Sequence, residues 1–269
     1  MSLTVDPRAL IYEPAGIKVQ TLQCLAATEA ARSFIASSSN DNALDPDAIR
    51  ILVWNIHKEA DAGWQEDLAR LAKANDVLLL QEVTLLDPLQ DVLQAAGLRW
   101  VLASSFIYES NDIGVLTASR VAPVANCTQR VVEPLILIPK STVISWLRVG
   151  RATQTLAIAN VHAINFTLTL DAYREQFAAL VEVLATHQGP IVLAGDFNTW
   201  SADRFAVVRD VAARLGLIEI TYADDRRALF LGERVDHVFV RGLDVIASSA
   251  STVTSSDHNP IEVVLRLPR

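Results

Sequence analysis

The stretch Ile191-Val192-Leu193-Ala194-Gly195-Asp196-Phe197-Asn198 decides the fold. An apolar run of strand length ends on a glycine and then on two side chains that carry oxygen. The pattern occurs three more times upstream. Ile51-Leu52-Val53-Trp54 runs into Asn55, Val77-Leu78-Leu79-Leu80 into Gln81-Glu82, and Leu156-Ala157-Ile158-Ala159 into Asn160-Val161-His162. One such ending is ordinary, because strands must stop and polar residues stop them. Four endings, each with a group able to bind a metal or a phosphate, imply convergence on one rim, where open α/β sheets bind their ligands.

Between these runs the period changes. Trp64, Leu68 and Leu71 have helical spacing over Trp64–Ala74, and Leu89–Ala96 reads as a short helix. Over Leu170–His187 a stripe forms from Tyr173, Phe177, Leu180, Val181 and Leu184, and Arg204–Leu215 predicts a further helix. Further strands are expected at Trp100–Leu102, Ile113–Thr117, Leu135–Ile138, Thr142–Val149, Val235–Val240 and Ile261–Leu267. Strands interleaved with helices, around a strand-rich centre, indicate an α/β protein with more than one sheet layer and helices outside. The polar segment Ser37–Asp45 predicts a loop. It sets residues 1–49 apart as an N-terminal extension packed on, or leading into, a domain of residues 50–269.

Composition narrows the class. Of 269 residues 51% are hydrophobic and 20% charged, which excludes a disordered chain. No apolar stretch is long enough for a membrane helix, so no membrane insertion is expected. Residues Met1 to Asp6 carry no basic segment followed by an apolar one, so a secretory signal is not expected and the cytoplasm is the expected location. Cys24 and Cys127 are the only cysteines; both are expected to be reduced thiols, and the absence of Cys-x-x-Cys argues against structural zinc. The net charge of −8 is poor footing for general nucleic-acid binding, though a local basic groove would still permit a nuclease.

The candidate donors suit a hard cation. Glu82, Asp196 and Asp257 offer carboxylate oxygens, and Asn55 and Asn198 offer amide oxygens, the ligands Mg²⁺ prefers. The five histidines are His57, His162, His187, His237 and His258, with no His-x-x-x-His pair. His187 lies near a helix end and reads as a surface or capping residue. His57 and His237 adjoin candidate site residues without an evident role. His162 and His258 sit beside other polar groups, and Asp236 is the expected partner of His258, since a neighbouring carboxylate orients an imidazole and favours its charged form. Such an imidazolium can hold a phosphate oxygen or protonate a leaving group. Arg226 and Arg227 are candidate grips on substrate phosphate; a solvated charged face is the alternative.

Six segments together resemble the endonuclease/exonuclease/phosphatase superfamily, which includes DNase I-like nucleases. They are Val53-Trp54-Asn55-Ile56-His57-Lys58, Leu80-Gln81-Glu82-Val83, Asn160-Val161-His162, Gly195-Asp196-Phe197-Asn198-Thr199-Trp200, Val235-Asp236-His237-Val238-Phe239 and Ser256-Asp257-His258-Asn259-Pro260. The likeness is strongest to uncharacterised bacterial cytoplasmic members. It implies an α/β four-layer sandwich, two packed mixed β-sheets flanked by helices, and Mg²⁺-dependent hydrolysis of phosphate esters, with Mn²⁺ as a possible substitute. It implies that Asn55, Glu82 and Asp257 lie at the metal and that Asp196 positions or deprotonates the attacking water. Asn198 would hold the phosphate, His258 with Asp236 would bind it or act as base, and His162 would lie near the leaving group. Asp112 is a guess for the superfamily's further mid-chain acidic residue.

Two functional classes stay open: a phosphoesterase, whose substrate is a phosphate ester and could be a nucleic acid, and a catalytically silent member that binds a phosphorylated ligand or a protein. Within the enzyme class, a nuclease predicts a basic groove beside the site. A lipid phosphodiesterase predicts an exposed apolar lip, and a small-molecule phosphomonoesterase a closed, arginine-lined pocket.

Overall fold

The computed structural model describes residues 3–4, 8–33, 42–150 and 155–268. The chain runs β1 (Leu3–Thr4), β2 (Ala9–Glu13), β3 (Gly16–Gln20), α1 (Cys24–Arg32), β4 (Ile49–Asn55), α2 (Trp64–Ala74), β5 (Val77–Thr84), α3 (Asp87–Ala95), β6 (Arg99–Tyr108), β7 (Asn111–Ser119) and β8 (Ala125–Val132). It continues through β9 (Pro139–Leu147), β10 (Leu156–His162), α4 (Asp171–Leu184), β11 (Ile191–Asp196), α5 (Ala202–Leu215), β12 (Ile218–Glu219), β13 (Leu229–Phe230), β14 (Glu233–Arg234), β15 (Asp236–Arg241), β16 (Asp244–Ala250) and β17 (Ile261–Arg266).

Two mixed sheets face each other. The first has the order β16-β17-β4-β5-β7-β6-β2-β3, with β1 added on β6; the second has the order β12-β15-β11-β10-β9-β8. β4 and β5 are parallel in the first sheet, and β10 and β11 are parallel in the second. These four strands are apolar almost throughout because both of their faces are covered. Ile51 and Val53 point into the gap between the sheets, where they meet Ile158, Val192, Ala194 and Val238 of the second sheet. Leu52 and Trp54, one step out of phase, pack outward with Leu68 and Leu71 of α2 and Leu89 and Leu93 of α3. On the far side Ala159, Val161 and Leu193 pack with Phe177 and Leu180 of α4 and Val208 of α5. The layers are helix, sheet, sheet, helix, as the resemblance implies.

Two expectations change. Leu135–Ile138 is a turn between β8 and β9 rather than a strand, and Leu135, Ile136 and Leu137 are exposed. Its apolar residues follow no buried face, so apolarity alone misled. Cys24 and Cys127 are joined in a disulfide, not reduced, across a separation of 103 residues. The bond pins α1 to β8, and sequence distance gave no sign of that proximity. Such bonds persist in oxidising compartments. Within residues 1–49, expected as an extension packed on or leading into the domain, β2 and β3 lie at the edge of the first sheet. Of the loop expected over Ser37–Asp45, residues 37–41 lie outside the described residues. Among the described residues no helix is long and apolar enough to cross a membrane.

Candidate active site

The four polar-ended strands finish at one rim. In the first sheet Asn55 pairs in register with Gln81, and in the second His162 pairs with Asp196. β5 does not stop at Leu80. Its pairing with β7 shifts between Leu80 and Val83, and Glu82 takes a positive φ of 52°. A bulge of this kind re-aims a side chain, and here it turns Glu82 towards the second sheet. Gly195 has φ 138°, and a Cβ there would stand 2.0 Å from the Val161 carbonyl oxygen. Only glycine lets β11 lie so close to β10, which brings Asp196 beside His162. Past the strand, the Asn198 N–H donates to Asp196 Oδ1 at 2.9 Å, the Asx-turn geometry that lets asparagine hold its φ of 50°.

The side chains form one unbroken cluster. His162 Nε2 lies 3.6 Å from Glu82 Oε1 and 3.7 Å from Asp196 Oδ2. His258 Nε2 lies 4.0 Å from that same Asp196 oxygen, and its Nδ1 donates to Asp236 Oδ2 at 2.7 Å. Asn55 Nδ2 donates to Asp196 Oδ2 at 3.1 Å. The loop carrying Asp257 and His258 is tied to the end of β4. Ser256 Oγ donates to the Asn55 carbonyl at 2.7 Å, and Trp54 Nε1 donates to the His258 carbonyl at 3.0 Å. Asp257 itself is largely exposed, with Oδ1 3.9 Å from His57 Nδ1. Asn198 is buried beside Asp196, with Nδ2 donating to the Ala163 carbonyl at 3.0 Å.

Charge is arranged in two halves. Burial opposes the charge on His258, but Asp236, with Asp196 and Asp257 behind it, outweighs burial and lifts its pKa to about 10. Burial pushes His162 the other way, down to about 4, and the ammonium of Lys140 adds to it against the pull of Asp196 and Glu82. Lys140 Nζ stands 2.8 Å from His162 Nε2, so a neutral ring accepts that hydrogen bond. Burial also works against the Glu82 carboxylate, yet His162, Lys58 and Lys140 hold it down at about 2.

Two groups could hold a cation. Asp196, Asp236 and His258 offer ligand atoms within 4.8 Å of one another. A protonated His258 with Nδ1 already on Asp236 has no lone pair to give, which disfavours that set. Glu82 and Asp257 offer carboxylate oxygens to one cavity, the donor type a hard divalent ion takes, and the amide oxygen of Asn55 accepts from the His57 N–H at 3.0 Å. The Glu82 carboxylate already holds the Lys58 ammonium, so its position draws a cation. Glu82, Lys58, His57 and Asp257 line one cavity of about 340 Å³ together with His162 and Lys140.

Other candidates lie elsewhere. Arg227 is turned inward. It donates to Asp225 and Glu219 and to the Asp236 carbonyl, and its guanidinium stacks over the Tyr222 ring, so it braces the Asp236 strand and leaves no face for substrate. Arg226 is exposed and paired with Asp224. His237 is buried between Thr199 and Glu219. His57 bonds Asp61 at 2.8 Å beside the cavity. His187 is half-buried against the Thr155 carbonyl. Asp112 pairs with Arg8, away from the cluster. Sequence reasoning missed Lys58 and Lys140, although Lys58 follows Asn55 within a quoted segment. It also missed Arg204, buried between the Tyr173 and Trp200 rings, which donates to the carbonyls of Ile164, Asn165 and Asn198 and so fastens both loops behind the site. A lone arginine in a helical pattern carries no signal for such a role.

Comparison with known proteins agrees with this layout. The model of the Endonuclease/Exonuclease/phosphatase family matches residues 52–258. A UPF0294 protein of Vibrio cholerae serotype O1 is 35% identical over 220 residues, covering 81% of this chain and 78% of its own. The human nocturnin catalytic domain with bound sulfate superposes with a TM-score of 0.64 at 16% identity, over 86% of this chain and 100% of that one. A mannosyl-6-phosphatase of Bacteroides thetaiotaomicron gives 0.61 at 18% identity, over 81% and 99%.

Proposed function

The chain belongs to the endonuclease/exonuclease/phosphatase family, and from that premise we propose that it is a Mg²⁺-dependent hydrolase of phosphate esters acting on a phosphodiester. One observation carries the reading: Glu82, His162, Asp196, His258 and Asp236 follow one another with no gap above 4.0 Å. In this reading the nucleophile is a water, activated by a carboxylate of that run acting as general base.

Asp196 orients the water and takes its proton. Its Oδ1 accepts from Asn198 and its Oδ2 from Asn55, which fix the carboxylate in one pose. The His258 imidazolium directs its Nε2 proton to a phosphate oxygen, and Asp236 holds the ring's orientation and charge from behind. Asn198 offers its remaining amide proton to the same phosphate. On the opposite flank His162 and the Lys140 ammonium face the leaving oxygen. Bound by Glu82, Asp257 and Asn55, Mg²⁺ or Mn²⁺ would supply positive charge against the phosphate and the developing alkoxide. The disulfide between Cys24 and Cys127 favours an oxidising compartment as the place of action.

The test is hydrolysis of bis(p-nitrophenyl) phosphate by the purified chain, with chelator and with Mg²⁺ or Mn²⁺ restored. Turnover lost in chelator and regained with metal is expected, together with loss of both turnover and Mn²⁺ affinity in Glu82→Gln. Undiminished turnover in chelator would overturn the metal assignment. Phosphate-ester binding without hydrolysis of any diester or monoester would identify a silent binding member instead.

A further inference from the structure

Three loops leave the rim that carries the site, and each presents apolar side chains to water. The turn between β8 and β9 precedes β9, which pairs antiparallel with β10, so it lies where β10 ends. The loop after β10 starts at His162 itself. The β13–β14 hairpin leads directly into Asp236, which pairs with Asp196. Their tips expose Leu135 and Leu137, Phe166 and Leu168, and Phe230 and Leu231. Leu168 is 88% exposed, Leu231 75% and Leu137 70%. Scattered apolar residues on a surface need no explanation, but Leu135, Leu137, Phe166 and Leu168 stand on two joined loops beside the cavity, a grouping of the kind that marks a binding surface.

The tips are built for display. Leu137 has φ 58° and Leu231 φ 52°, a region where a bulky side chain is strained and glycine is not. Leucine stands at both positions. The first two loops are locked together by Glu133, fully buried, whose Oε1 accepts from the N–H groups of Asn165 and Phe166. The patch is continuous with the cavity of the site. Phe106, Ile136, Ile138 and Phe166 line it together with Glu82, His162, Lys58 and Lys140. An apolar lining beside two ammonium groups matches an amphiphile with a single phosphate. It does not match a nucleic acid, which needs rows of cations along its backbone. The net charge is −8, and Arg226 beside the site is already paired.

We propose that the substrate is a lipid phosphodiester taken from a bilayer surface, with the apolar tips entering the acyl region and the apolar alcohol lying along the cavity's apolar lining. The inference rests on the hydrolase reading above. Water adds to phosphorus, the P–O bond to the lipid alcohol breaks, and the proton from water ends on the departing alkoxide. The products are a lipid alcohol and a water-soluble phosphomonoester.

The test uses vesicles of equal parts phosphatidylcholine, sphingomyelin and phosphatidylinositol, beside bis(p-nitrophenyl) phosphate in solution. The wild-type chain is expected to float with the vesicles and to release water-soluble phosphomonoester. In Leu135→Ser/Leu137→Ser/Leu168→Ser, with a thermal unfolding curve to verify folding, flotation is lost and the ratio of vesicle to soluble turnover falls about tenfold or more. Leu168→Ser alone, at the most exposed position, gives a smaller fall in the same direction. The inference is overturned if the wild type stays out of the vesicle fraction, if the variant keeps the wild-type ratio, or if vesicle lipid stays intact while the soluble diester is cleaved. A wild-type dimer in solution that the triple variant dissolves would make the patch a self-association surface and overturn it too. Failure to cleave the soluble diester as well would sink the hydrolase reading instead.

Discussion

Gln81 Nε2 donates to Asn160 Oδ1 at 2.6 Å across the gap between the two sheets. Both side chains are fully buried. The Asn160 amide continues the clasp, donating to the Leu116 carbonyl at 2.9 Å and the Leu80 carbonyl at 3.3 Å. Gln81 adjoins Glu82 and Asn160 lies two residues before His162, so this polar clasp fixes how closely the two halves of the site approach. Apolar packing alone would let the sheets slide; directional bonds do not.

Asn160→Ala removes one partner and leaves the buried Gln81 amide with the Leu79 carbonyl alone. Stability is expected to fall by about 2–4 kcal/mol in urea unfolding. Phosphodiester turnover should fall with it at temperatures where the variant is still folded, because the spacing of Glu82 and His162 relaxes. A variant with unchanged midpoint and turnover would show that the clasp holds nothing in place.

Asp236→Asn keeps the shape and removes the charge that sustains the His258 imidazolium. A fall in kcat of about 10²–10⁴-fold is expected, the range of a lost acid–base contribution, with folding intact by circular dichroism. Steady-state kinetics on bis(p-nitrophenyl) phosphate checks it; a change confined to KM would argue against the pairing as part of the chemistry.

Arg227→Met separates bracing from substrate contact. The side chain ties Asp225, Glu219 and the Asp236 carbonyl together. Its loss is expected to cost about 2–3 kcal/mol, below the full penalty for a buried pair because both carboxylates are partly exposed. Thermal unfolding should register it, and kcat should drop along with stability. A selective rise in KM at unchanged stability would restore a substrate role.

Cys24→Ser should lower stability by about 2–4 kcal/mol, since the bond closes a long loop in the unfolded chain. The midpoint of the oxidised protein in urea, measured with and without dithiothreitol, should shift by the same amount as the substitution. Identical midpoints for all three samples would mean that the thiols do not bond in solution.

His187 gives a pH dependence away from the active site. Burial lowers its pKa below the ordinary 6.5, against a hydrogen bond to the Thr155 carbonyl. The unfolded chain therefore takes up a proton near 6.5 that the folded chain refuses until lower pH. This contribution is present above about 6.5 and is lost as pH falls through the folded value. Urea midpoints of wild type and His187→Gln should diverge below that pH, with the variant the flatter of the two.

How much could be read in advance differs from element to element. β4, β10 and β11 were legible because buried strands leave unbroken apolar runs. Asp196 was legible because Gly195 and Asn198 mark the turn that holds it. Glu82 could be named but not aimed, since a bulge is a feature of pairing and leaves no local trace. Leu135–Ile138 was misread because exposed and buried apolar residues look alike in one dimension. The inward turn of Arg227 was not legible because its partners include Glu219, on a strand before it, and the Asp236 carbonyl after it.

The amino-acid sequence by itself determined the layers and the polar groups that end the strands at the rim, since periodicity and residue chemistry are local properties. Tertiary structure alone decided which charges meet. The lysines at Glu82, the disulfide between Cys24 and Cys127 and the apolar tips beside the cavity all depend on pairings between distant strands. Coulomb forces and exposure depend on separation in space, and the order of residues along a chain does not record it.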